Sequence, residues 1–140
     1  YIEEMAVPNV ETGAEIAGRD PDEVTLSTQV FAITGEGQER EAARESVRRQ
    51  IGFYGSTPTY RSIFEIHGWE DVCDALHELT VEGRWDELGD PVTDEMLEAF
   101  SVEADWENLR SAVEDRYDHV DRVSLYTPFD GGDKWQHLIE

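Results

Sequence analysis

Apolar positions recur at two different intervals along this chain, and the switches between them mark its elements. Over 2–17, Ile2, Met5, Ala6, Val10, Gly13, Ala14 and Ala17 fall at near-helical spacing, with Gly18 placed to end the helix and Pro8 requiring a kink or a late start. A turn at 18–22 leads into 24–34, where Val, Leu, Thr, Phe and Ile dominate and both alternating faces become apolar, the pattern of a strand covered on both sides. Helical spacing returns over 35–54, where Ala43, Val47, Ile51 and Tyr54 form a stripe and Glu36/Arg40 and Glu45/Arg49 are spaced to pair.

Residues 55–98 behave differently. Gly55-Ser56-Thr57-Pro58 breaks the helix, and short helical stretches follow near 60–67, 69–81 and 93–98, punctuated by Gly68, Gly83, Gly89 and Pro91. This segment reads as a helical insert. A short strand at 99–103 is then followed by a helix that Asp105 is placed to cap, with Leu109, Ala112, Val113, Arg116 and Tyr117 on one face. A third strand at 120–127, a loop containing Pro128, Gly131 and Gly132, and a last helix through Trp135, Leu138 and Ile139 complete the chain, with Asp133 and Gln136 spaced as a capping box.

Strand–helix alternation of this kind predicts parallel strands joined by right-handed crossovers. Three strands cannot close a barrel, and an open three-stranded parallel sheet leaves unprotected edges. The expectation is therefore an α/β fold in which 1–140 is a single partial domain. It would be the C-terminal part, about three strand–helix units plus the insert, of a (β/α)8 barrel that takes about 250 residues when complete.

Charge changes the picture next. The 140 residues carry 33 acidic side chains against 11 basic ones, and Lys134 is the single lysine. A net charge of −22 argues against nucleic-acid and anionic-membrane partners. Acids interleaved with Trp69, Trp85, Trp106 and Trp135 do not describe a disordered acidic tail. A folded protein with an acidic coat remains, suited to concentrated salt, where the screening length contracts to about 3 Å at ~1 M. The expectation is a halophilic, cytoplasmic protein; no apolar run approaches the roughly 20 residues that cross a bilayer, and a lone Cys73 permits no internal disulfide.

The run Arg48-Arg49-Gln50-Ile51-Gly52-Phe53-Tyr54-Gly55-Ser56-Thr57-Pro58-Thr59-Tyr60-Arg61 resembles a segment of luciferase-like monooxygenases, especially their coenzyme F-420-dependent branch of halophilic archaeal type. His67-Gly68-Trp69, Leu76 through Gly83-Arg84-Trp85, Asp94-Glu95-Met96-Leu97-Glu98-Ala99-Phe100 and Asp121-Arg122-Val123-Ser124-Leu125-Tyr126-Thr127-Pro128 extend the similarity over nearly the whole chain. The resemblance implies a barrel oxidoreductase moving a hydride between a flavin-type coenzyme, F-420 or FMN, and a small organic substrate. It also implies that the groups of the early strands lie outside this chain, which would then be inactive alone.

Under that resemblance Tyr54, Ser56, Thr57, Tyr60 and Tyr126 are candidates to line the coenzyme or substrate cavity, near strand ends at Ile33-Thr34, Val102-Glu103 and Tyr126-Thr127-Pro128. Catalytic residues are not assignable, and Ser56, Thr57 and Tyr60 equally suit a local turn. Gly35-Glu36-Gly37 lacks the third glycine of a phosphate fingerprint and is acidic. His67 and His77 lack metal-ligand spacing, Asp90, Asp94 and Glu95 read as a solvated face, and Cys73 reads as core packing rather than as a nucleophile with His77. The competing function is a non-catalytic half-barrel module that self-associates or binds a protein partner through an exposed sheet edge.

Overall fold

The computed structural model describes residues 1–127 and 132–138. A single π-helical turn at Ile2–Ala6 runs into helix α1, Val7–Ile16, with Pro8 near the junction. After a 3-10 turn at Pro21–Glu23, capped by the Asp20 side chain, comes strand β1, Ser27–Ile33. The strand begins later than its β-rich composition suggests: the Val24 N–H is held by the Pro21 carbonyl and the Leu26 N–H by the Asp121 carboxylate. Gly35 and Gly37, at φ 104° and 51°, adopt the left-handed backbone that reverses the chain into helix α2, Gln38–Gly55.

The segment predicted as helical folds into a 3-10 turn at Pro58–Tyr60 and helices α3, Arg61–Glu65, and α4, Glu70–Val81, with helix α5, Asp94–Phe100, capped by the Thr93 hydroxyl. These helices are much of the core. Phe64, Cys73, Val92, Met96 and Leu97 pack with Ile33 of β1 and with Val47 and Ile51 of α2. The expected strand at 99–103 is shorter: Ala99 and Phe100 end α5, and strand β2 is Ser101–Glu103. Phe100 stays helical because its ring packs against Phe64 and Trp69.

Helix α6, Trp106–Arg116, starts at Asp105, yet that side chain makes no capping hydrogen bond. It pairs instead with Arg40 of α2. The expected pairs within α2 are likewise redirected. Arg40 also donates to the Gly35 carbonyl at 2.9 Å, and Glu45 meets Arg48 at 3.4 Å rather than Arg49. Strand β3 is Arg122–Tyr126, and Asp133–Leu138 forms a 3-10 turn rather than an α-helix; Pro128, Gly131 and Ile139 lie outside the described residues.

All pairing is parallel, as expected for part of a (β/α)8-type unit, and the strands lie in the order β2-β1-β3. Phe31 and Ile33 face α2 and the helices of 58–100, while Val30 and Ala32 point the other way into a second core with Leu109 and Val113 of α6. Right-handed crossovers to opposite edges of β1 require helices on opposite faces, and this is the arrangement observed. In a barrel wound in chain order β3 would lie beside β2. Here it takes the other edge of β1, where a parallel strand finds five residues of ladder, Ser27 to Phe31 opposite Arg122 to Tyr126, instead of the three that β2 offers.

Candidate functional site

Three aromatic side chains that the sequence singled out meet on the Phe31 face of the sheet. Tyr54 reaches it because α2 is long enough to carry its stripe past Ile51, and Tyr60 because Pro58 starts a tight turn that folds back over the helix end. The Tyr54 and Tyr60 rings lie edge to face at 4.9 Å and Phe31 and Tyr126 at 5.2 Å, while Phe31 and Tyr54 are tilted by 44° at 6.1 Å. Such geometries are those aromatic rings prefer, each adding about 0.5–1.5 kcal/mol beyond area burial.

Together they wall an open cavity of about 650 Å³, completed by Phe64, Phe100 and the segment Tyr1–Glu4. A cavity of that size suits a mid-sized organic ligand. Burial first, and then Tyr126 beside it, raises the Tyr54 phenol above its ordinary value, so the ring carries an O–H donor at neutral pH.

Ser56 and Thr57 are placed differently. Both hydroxyls donate to the Phe53 carbonyl, at 2.7 and 3.3 Å, and tie down the end of α2 beneath the tyrosines instead of lining the cavity. The carboxyl ends of the strands are also divided. Tyr126 reaches the aromatic cavity, whereas Ile33 and Thr34 are buried and Val102-Glu103 open onto a second recess of about 520 Å³. That recess holds Arg44, Asp94 and Arg116, whose charges are spent internally: Arg44 pairs with Asp94 and Glu103, and Arg116 donates to the carbonyls of Glu98, Ala99 and Ser101.

Sequence reasoning missed His67 and Phe31 as part of the cavity. His67 stacks on Trp69 at 4.5 Å with 14° between planes, and burial lowers its pKa from the ordinary imidazole value. Its place beside Trp69 in the His67-Gly68-Trp69 turn was the available signal. Cys73 is buried and its thiol is pushed up by burial, which leaves it packing rather than reacting. Among the described residues no group of three or more His, Cys, Asp or Glu side chains is arranged to hold a metal ion, and no helix is long and apolar enough to cross a membrane.

Residues 1–122 match the model of the luciferase-like monooxygenases. The chain belongs to the luciferase-like monooxygenase family. Uncharacterized proteins of Mycobacterium tuberculosis and Mycobacterium bovis are 40% identical over 125 residues, covering 88% of this chain and 37% of their own length. A 5,10-methylenetetrahydromethanopterin reductase of Archaeoglobus fulgidus is 31% identical over 106 residues, 71% of this chain and 30% of the reductase. No solved structure matches. The chain thus spans about a third of the length of the curated relatives it matches.

Proposed function

We propose that this luciferase-like chain is the C-terminal portion of an F-420- or FMN-dependent oxidoreductase of halophilic type, a single partial domain over 1–140 that contributes one wall of the coenzyme or substrate cavity and is inactive alone. The observation that carries the reading is the tyrosine-walled cavity on the Phe31 face. A flat tricyclic ring needs apolar contact on its faces and a few hydrogen bonds at its edge, and Tyr54, Tyr60 and Tyr126 offer both. The bound coenzyme would supply hydride transfer; the residues of this chain hold and orient the ring and keep water from it. Ser56 and Thr57 serve the site by holding the helix end that positions Tyr54.

The fit concerns the ring alone. Glu3 and Glu4 stand on the cavity rim and repel a phosphate, and the Arg116 guanidinium is engaged by backbone carbonyls. The coenzyme phosphate therefore belongs on a part of the protein that this chain does not supply, in keeping with a chain covering 37% of its mycobacterial relatives. The named activity of the Archaeoglobus relative, a reduction, supports redox chemistry on a small organic substrate.

The test is titration of the folded chain in concentrated salt with oxidised and reduced F-420 and FMN, following ring absorbance and tryptophan fluorescence. Saturable binding, weakened about tenfold by Tyr60→Ala, is the expected result, since losing one stacked aromatic costs ~1 kcal/mol or more. A folded chain that leaves both spectra unchanged would remove ring binding from these residues.

A further inference from the structure

The two recesses of the molecule treat their charges differently. In the recess beside β2, Asp94 and Glu103 are paired with Arg44. On the rim of the aromatic cavity Glu3 and Glu4 are exposed, and neither meets an arginine among the described residues. Arg116, the one arginine or lysine among the described residues that line this cavity, is turned to the carbonyls of Glu98, Ala99 and Ser101. His119 stands in the wall beside Glu3. Its Nδ1 lies 3.3 Å from a Glu3 carboxylate oxygen and 3.5 Å from one of Asp118, yet neither ring nitrogen makes a hydrogen bond among the described residues, and both are closed off from solvent. Two carboxylates on one side draw the ring proton to Nδ1, which leaves Nε2 a buried acceptor with nothing to accept from. Buried polar atoms in that state are few in folded proteins and call for a partner.

A partner that satisfies this end of the cavity must donate a hydrogen bond to Nε2 and bring positive charge to Glu3, and an anion does neither. The remaining wall, with Phe31, Tyr54, Tyr60 and Tyr126, suits a flat apolar body, and aromatic walls also attract cations through their negative ring faces. We propose that the cavity takes an organic cation carrying an N–H donor, an amine or protonated N-heterocycle whose body lies among the aromatic side chains and whose nitrogen is held by Glu3 and His119. The turn Ile2–Ala6 that carries Glu3 has no buried residue, so it shifts to admit the ligand without disturbing the core. The net charge of −22 steers cations toward the protein and anions away from it. The inference rests on the reading of this cavity as a ligand site and names the charge class of its organic substrate.

Isothermal titration tests it, on the folded chain in the lowest salt that keeps it folded. The probes share one size and differ in charge: phenethylammonium, its N-trimethyl analogue, neutral phenethyl alcohol and anionic 3-phenylpropanoate. Phenethylammonium is expected to bind about tenfold tighter than the alcohol, as a charge-assisted hydrogen bond requires, and the propanoate not to bind at the same concentrations. Glu3→Gln should abolish that preference, whereas Glu11→Gln on α1, outside the cavity and equal in its effect on net charge, should leave it intact. His119→Ala should weaken phenethylammonium about fivefold and spare the N-trimethyl analogue, which has no N–H to donate. Equal affinity for ammonium and alcohol, a preference that survives Glu3→Gln, an equal loss of both cations in His119→Ala, or the failure of every probe to bind overturns the proposal. Titration with F-420 and FMN reports separately: coenzyme binding without a charge preference among the probes removes this inference and leaves the coenzyme reading standing, and the converse result does the reverse.

Discussion

The Asp121 carboxylate accepts a hydrogen bond from the Leu26 backbone N–H at 2.7 Å, and the Leu26 carbonyl accepts in return from the N–H groups of Asp121 and Arg122 at 3.0 and 3.1 Å. Residues 95 apart in sequence are thereby clamped where β1 and β3 begin. Asp121→Ala removes the charged acceptor and leaves the Leu26 N–H to water, at a cost of about 1 kcal/mol at this exposed site. Asp121→Asn keeps an acceptor and should recover most of it. Urea unfolding monitored by tryptophan fluorescence reads both; equal loss from the two variants would show that the hydrogen bond is not the source.

Close packing predicts opposite signs at two glycines. A Cβ on Gly52 of α2 would sit 1.9 Å from the Leu88 carbonyl oxygen, so Gly52→Ala must push backbone from backbone and should destabilise by roughly 1–3 kcal/mol despite the gain in helix propensity. A Cβ on Gly13 of α1 meets nothing within 4 Å, and Gly13→Ala should stabilise by up to about 1 kcal/mol. Paired melting curves decide the matter, and a stable Gly52→Ala protein would mean that α2 and the Leu88 turn are not in contact.

Acid should lower stability modestly through a few named carboxylates. Arg48 hydrogen-bonded to Asp94, Arg61 to Asp74 and Arg84 to Glu87 each hold the carboxyl below its ordinary value. A folded-state pKa below the unfolded one gives a contribution that is complete above the unfolded value of about 4 and lost as pH falls through the folded one. Stability in concentrated salt is therefore expected to hold from pH 7 to about 5 and to decline below about 4. Asp94→Asn should make that decline shallower, and an unchanged acid midpoint in this variant would remove Asp94 from the account.

Salt should act in the opposite sense to its usual weakening of ion pairs. With a net charge of −22, repulsion among carboxylates outweighs the attraction in pairs such as Arg110–Glu114 or Arg61–Glu65, which are exposed and individually worth little. The melting temperature is expected to rise by several degrees or more between about 0.1 M and multimolar salt. A melting temperature that is flat or falling over that range would exclude salt adaptation.

Local pattern determined a large share of this protein. The stripe through Val47 and Ile51, the helix that Thr93 opens, the apolar run that becomes β1 and the parallel sense of the sheet all follow from spacings within one element or between neighbours, because helix and strand periods specify which side chains must be covered. The tyrosines at 54, 60 and 126 were legible as a set through a family resemblance, although not their convergence on Phe31. Tertiary structure decided several of the charge pairings. Asp105 abandons the cap for Arg40, and Glu45 takes Arg48 over Arg49, since a long guanidinium selects among acids brought near by folding. It also decided the order β2-β1-β3: periodicity assigns faces to a strand, whereas its lateral neighbour depends on which edge is open and how many residues of ladder that edge provides.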